Sequence, residues 1–335
     1  MSDNDPDMPT ANAREDDAGI ARVLRAAGGR TQPADEMKAA VRAAVYAEWR
    51  ATVARRSRRR AYLALAASIA VAALALWIGR GYFVASNEVV ANVSRIVGTA
   101  QARSGRFGSW HVVAAPLHAG ETLSTGADGR VALQLRDGVS LRLDHDTLVA
   151  FVDSGRIDVE SGAVYVDAGT VSTAADHLRV GTPAGIVQHV GTQYEARIVN
   201  GGTRIRVREG RVALLPQNGG NAQSAGVGEQ LLVSTTGEIR RDSIAPSDDA
   251  WSWAANAAPP FDINGRPVRE FLTWVGRELG RDVVYATPET EAEADRAVLS
   301  GSVAGLAPAD ALAAVLPTTQ LRSVERDGKI EITLQ

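Results

Sequence analysis

The chain has 335 residues, room for two or three compact units, and a formal charge of −3 that gives no overall pull toward nucleic acid. It contains no cysteine, which excludes disulfides, thiolate nucleophiles and cysteine-held metal. Aromatics make up 5% of residues while glycine occurs 32 times, a balance that favours turn-rich β structure over one large α/β core. The charge is uneven: residues 1–60 hold 12 Lys+Arg against 9 Asp+Glu, and the remainder holds 24 against 30.

Residues 1–16 are polar and predict no stable element. Asp17 is placed to cap a short helix in which Ile20, Val23, Leu24 and Ala27 share one face, ended by Gly28-Gly29. After Pro33 a second helix is expected, with Met37, Val41, Ala44, Val45, Trp49, Thr52 and Val53 along one stripe. Two helices of about 35 residues in all bury too little area to offset their own ordering. Either they act as a loose tether, or the stripe docks in the groove of a partner. For docking, Ile20, Val23, Leu24, Val41, Val45 and Trp49 are the candidate contacts, and Trp49 is the natural anchor.

Ala61 to Gly79 is a run of 19 residues without a formal charge. As a helix at about 1.5 Å per residue it nearly matches the ~30 Å hydrocarbon core of a bilayer. Tyr62 lies near one end, and Trp77 and Tyr82 near the other, where interfacial aromatics belong. Arg50, Arg55, Arg56, Arg58, Arg59 and Arg60 precede the run, against Arg80 and Arg95 after it. That asymmetry predicts a single pass with a cytoplasmic N-terminus, residues 61–84 as the membrane helix with its outer flank, and everything beyond on the far side. Topology and anionic headgroups account for the arginine run without nucleic acid.

From about residue 87 to 245 the apolar period changes to two. Val131, Leu133 and Leu135 alternate with other residues, Arg136-Asp137-Gly138 turns the chain, and Val139, Leu141 and Leu143 resume, which predicts a hairpin. Further strands are expected at 148–152, 163–166, 185–190, 193–199, 203–208, 211–215 and 230–233. The fold class follows: cytoplasmic helices, one membrane helix, an all-β sandwich or β-roll, and a C-terminal α+β unit. Residues 246–260, with Trp251, Trp253 and Pro259-Pro260, read as a linker. Beyond it, strands at Phe261–Ile263 and 282–285 bracket a helix opened by Pro267 and ended by Gly280. A polar stretch, a strand at 298–303, a helix opened by Pro308 and strands at 321–325 and 329–333 complete residues 261–335 as two βαβ-like units.

Residues in the β region resemble a known family: Ala119-Gly120-Glu121, the hairpin through Asp137-Gly138, Gly162-x-Val-Tyr-Val-Asp, Thr182-Pro183, His189-Val190-Gly191-Thr192-Gln193-Tyr194-Glu195 and Val207-Arg208-Glu209-Gly210-Arg211-Val212. Together they resemble the FecR family, membrane-anchored regulators of extracytoplasmic-function sigma factors. The layout of 261–335 is similar to the secretin and TonB short N-terminal domain, which meets envelope proteins through sheet edges and helices. The resemblance implies a sigma factor as cytoplasmic partner, an outer-membrane TonB-dependent transducer of the iron or siderophore type as periplasmic partner, and an inner-membrane location. The rival expectation is an envelope scaffold whose N-terminal helix only anchors it. In some family members the chain cleaves itself at a Gly–Thr bond, which implies Gly191 and Thr192 here; otherwise Gly191 serves a turn and Thr192 starts a strand.

No motif for a zinc protease, a phosphate loop, a dinucleotide site or a nucleophile elbow is present, so catalysis on an external substrate and any cofactor are not expected. Asp144-His145-Asp146 is the nearest approach to a metal cluster, but consecutive strand residues point to opposite faces. It reads as a solvated hairpin end.

Overall fold

The computed structural model describes residues 11–28, 34–50, 88–105, 107–113, 116–136, 138–169 and 178–335. Contacts divide the chain into two compact units, Met1–Gly79 and Arg80–Gln335. The apolar run 61–79, on which the membrane span and its orientation rest, lies outside the described residues. Among those described, no helix is long and apolar enough to cross a bilayer.

In the first unit α1 spans Ala11–Ala26 and α2 comprises residues 35–50. Helix α1 begins six residues before the expected cap at Asp17. Ala11, Ala13, Arg14 and Glu15 are strong helix formers, and extending a helix costs far less than nucleating one. Gly28, at φ +73°, stands just past its end as expected.

The second unit opens with a sheet of sixteen strands. In chain order they are β1 (Val89–Val97), β2 (Ala100–Ser104), β3 (His111–Val112), β4 (Leu117–His118), β5 (Glu121–Thr125), β6 (Arg130–Leu135), β7 (Ser140–Leu143) and β8 (Leu148–Asp153). There follow β9 (Arg156–Ser161), β10 (Ala163–Asp167), β11 (Arg179–Thr182), β12 (Gly185–Val199), β13 (Gly202–Pro216), β14 (Gln223–Gly226), β15 (Glu229–Val233) and β16 (Ile239–Ser243). The expected hairpin is present as β6–β7, with Val131 opposite Leu143 and Leu133 opposite Leu141. Among the described residues only β9 and β11 pair in parallel; the other pairs of this sheet are antiparallel.

The longest strands organise the rest. β13 borders β12 along its whole length, while the other edge of β12 is shared: β11 pairs with its first residues and β10 with its last. Two branches therefore diverge from β12, one through β11, β9, β8, β5, β2 and β3, the other through β10, β7, β6, β1 and β4. Leu123, Phe151 and Ile157 of the first branch share one apolar core with Leu133, Leu141 and Val164 of the second, so the sheet curls over itself. This refines the expected sandwich or roll, and replaces the four strands expected over 185–215 by two long bulged ones.

The stretch 246–260 is not a linker. Asp248 caps a short 3-10 turn, Asp249–Trp251, that runs into α3, Ser252–Asn256. Trp251 and Trp253 are buried with their ring edges against Tyr165 of β10, at centroid distances of 6.0 and 6.4 Å. Such aromatic pairs stabilise by about 0.5–1.5 kcal/mol beyond the area they bury.

The C-terminal part holds α4 (Val268–Leu279), β17 (Val283–Tyr285), α5 (Pro288–Arg296), α6 (Pro308–Val315), β18 (Leu321–Arg326) and β19 (Lys329–Leu334). Pro267, Gly280 and Pro308 mark helix ends as expected. The two expected βαβ units are absent. Phe261–Ile263 forms no strand and packs on the core, and 298–303 contributes only the isolated bridge of Val298 to Pro267. One sheet orders β17–β19–β18, with β17 parallel and β18 antiparallel to β19. The polar stretch after β17 is helix α5, capped by Thr287 and opened by Pro288. It buries only Thr290 and Ala294, too narrow a stripe for the helical period to show in the sequence.

Candidate functional site

Two places carry the residues singled out in the sequence. The first is the apolar face of the N-terminal helices. Ile20, Val23 and Leu24 of α1 are 58%, 70% and 68% exposed, and Val41, Val45 and Trp49 of α2 are 59%, 62% and 61% exposed. Met37, Val41, Val45 and Trp49 recur every four residues and so lie along one side of α2. Covering a side chain of this size contributes about 1.5–3 kcal/mol. Among the described residues this face is open.

The second place is Gly191–Thr192, in the middle of β12. Val190 pairs with Arg211 and Gln193 with Glu209, so Gly191 and Thr192 together stand opposite the single residue Gly210. This is a β-bulge, with Gly191 in the left-handed region at φ +52°. It lies where the neighbour of β12 changes from β11 to β10, the corner at which the branches part. One step on, Arg208 is the extra residue of β13, between Glu209 and Val207, and this second bulge restores the register.

Thr192 is fully buried. Its carbonyl accepts from the Ala168 amide at 3.0 Å, but its hydroxyl Oγ1 finds no hydrogen-bond partner among the described residues. A buried hydroxyl left unpaired costs about 1–3 kcal/mol, so its presence calls for a reason. Space beside Gly191 is open: a Cβ built there meets no atom within 4 Å. His189 and Tyr194 flank the bulge with ring centroids 5.8 Å apart, and burial raises the Tyr194 hydroxyl far above its usual range.

The residues beyond the bulge form a polar seam with the C-terminal part. The Gln193 side-chain amide donates to Asp167 Oδ2 at 2.9 Å. Arg277 of α4 donates to Asp167 Oδ1 and to Glu209 Oε2, each at 2.5 Å. Burial works to raise the Asp167 carboxyl, but the Arg277 bond and charge hold it below its ordinary value. Arg208, aimed outward by its bulge, donates to Pro246 O at 2.7 Å and Glu278 O at 2.8 Å. Gly280, at φ +62°, lies so close that a Cβ would meet Pro246 O at 2.1 Å and Arg208 Nε at 2.4 Å.

Deeper in the seam, Arg142 of β7 grips Glu278 with two bonds of 2.6 and 2.7 Å and donates to Ala254 O at 2.8 Å. Both side chains are buried. Burial opposes the Arg142 charge, yet Glu278 keeps it raised above its ordinary value. Desolvation likewise pushes the adjoining Tyr165 hydroxyl up to about 12. Trp253 Nε1 donates to the buried Glu195 at 2.8 Å. Asp144 is committed to Arg130 at 2.9 Å and Arg197 at 2.6 Å. Among the described residues no group of His, Asp and Glu is placed to hold a metal.

Sequence reasoning found the bulge residues and the helix stripe but missed the seam. Its pairs are far apart in the chain, 136 positions for Arg142–Glu278 and 110 for Arg277–Asp167, and ordinary charged residues carry no periodic signal.

No curated protein matches the chain. Two solved structures of a candidate anti-sigma factor from Parabacteroides distasonis ATCC 8503, at 2.50 and 1.65 Å resolution, align with 17% and 16% identity over 64% of this chain. The alignments cover 98% and 99% of those chains, and a TM-score of 0.34 in both cases is too low to establish a shared arrangement. Residues 121–213, from β5 into β13 and including the bulge, match the family described as FecR protein. That stretch of the chain resembles a FecR domain.

Proposed function

We propose that this chain is a single-pass inner-membrane regulator of an extracytoplasmic-function sigma factor. The observation that carries the reading is the open apolar face of α1 and α2 in a chain that also holds a stretch resembling a FecR domain. A helix stripe exposed at spacing four is suited to the groove of a partner. Residues 61–79 have the length and apolarity of a membrane span, and the arginines before them favour a cytoplasmic N-terminus. On this reading β1 onward is periplasmic, and a TonB-dependent transducer of the iron or siderophore type supplies the signal, with the C-terminal α+β part acting in the manner of a secretin and TonB short N-terminal domain. Co-purification of the detergent-solubilised chain with a sigma factor, lost in a Val41→Asp/Val45→Asp variant, is the expected outcome. A chain that retains no sigma factor overturns it and favours the envelope scaffold.

We also propose self-cleavage between Gly191 and Thr192, on the strength of the uncommitted Thr192 hydroxyl beside a left-handed glycine. Thr192 Oγ1 attacks the Gly191 carbonyl carbon, the C–N bond breaks, and the hydroxyl proton passes to the freed Thr192 amine. Water then adds to the ester and the C–Oγ1 bond breaks, leaving a Gly191 carboxylate and restoring the Thr192 hydroxyl. Freshly purified wild type should run as two fragments on a denaturing gel, and Thr192→Ala as one band. A wild type that stays full length rules this out.

A further inference from the structure

Gln193, the residue next after the bulge, is flanked across the sheet by Asp167 of β10 and Glu209 of β13. Both carboxylates converge on the one guanidinium of Arg277, which belongs to α4. Asp167 also holds the Gln193 side chain, and the amide of the next residue along, Ala168, holds the Thr192 carbonyl. A single side chain from the C-terminal part thus braces the strands on both sides of the bulge, within one residue of the bond at issue. Gln193, Glu209 and Arg277 also line a cleft of about 580 Å³, one residue from the bulge.

We infer that Arg277 is a positioning residue for cleavage at Gly191–Thr192, so that the bond is broken only while the C-terminal part is seated on the β region. This inference rests on the self-cleavage reading above. Intramolecular attack depends steeply on approach geometry, and a misplacement of about 1 Å can cost about 100-fold in rate. Arg277 touches neither reacting atom; it acts through Asp167, Glu209 and Gln193. Because Arg277 is supplied by α4, a partner that lifts the C-terminal part away would also switch cleavage off.

The test uses the full chain in detergent and follows fragment formation with time. Arg277→Ala is expected to slow the appearance of both fragments by at least about tenfold. Arg277→Lys, which keeps the charge but not the fork that reaches two carboxylates, should fall between alanine and wild type. Arg269→Ala removes another α4 arginine, paired with Glu291 and Asp295 within the C-terminal part, and should cleave like wild type. In a Thr192→Ala background, where no cleavage intervenes, Arg277→Ala should speed amide exchange at Ala168 while Val164, central in β10, stays protected. Cleavage of Arg277→Ala at the wild-type rate, or unchanged exchange at Ala168, overturns the inference and leaves self-cleavage standing. Loss of Val164 protection as well makes the residue structural and also overturns it. A wild type that never cleaves sinks both.

Discussion

At Thr192 a hydroxyl is buried without a partner among the described residues, and at Gly191 the backbone takes a conformation that L-residues resist. These features make opposite predictions for two substitutions. Thr192→Val keeps the β-branched shape and removes the unpaired oxygen, so it should raise the unfolding midpoint and, on the proposed cleavage, abolish the fragments. Gly191→Ala meets no neighbouring atom but must hold φ near +52°, at a cost of about 1–2 kcal/mol, measurable by denaturant titration in the Thr192→Ala background. Asp167 adds a pH signature. Its folded-state pKa lies below the ordinary 3.8, so its stabilisation is complete above 3.8 and lost as pH falls through the lowered value. Wild type should therefore lose stability more steeply below pH 3.8 than Asp167→Asn does.

Among the elements, α2 can be altered at its exposed face with little effect on its own folding, because Val45 and Trp49 are already in water. On the proposed docking of α2, Trp49→Ala should weaken sigma-factor binding by about 2 kcal/mol, roughly 30-fold, with helix content by circular dichroism unchanged. Most elements were legible where their period matched their burial. The β6–β7 hairpin, α4 and α6 followed that rule, and turn residues such as Gly138 and Gly280 marked their ends. α5 was illegible despite its Thr287-Pro288 start, since it buries one narrow stripe. Phe261–Ile263 had strand-like residues, but within the fold it packs as an aromatic and aliphatic plug beside Phe271 and Trp274.

Across the whole second unit, the β region and the C-terminal part are joined by ion pairs as well as by apolar surface. Glu278→Gln leaves the Arg142 guanidinium buried and uncompensated, and should lower unfolding free energy by about 3–5 kcal/mol. Arg142→Met combined with Glu278→Leu should recover most of that loss, because an apolar pair of similar volume escapes the desolvation cost. Thermal unfolding of the two variants checks both outcomes.

Local chemistry along the chain was enough to place the charge asymmetry, the apolar run, the change from helical to strand period and the Gly–Thr pair, since each depends on residues within a turn or a hairpin of one another. The conversion of an apparent linker into a tryptophan-bearing brace, the double bulge that aims Arg208 at α4, and the grip of Arg277 on two strands needed the folded chain. They depend on side chains brought together from across the sequence, where geometry rather than pattern determines which charge meets which.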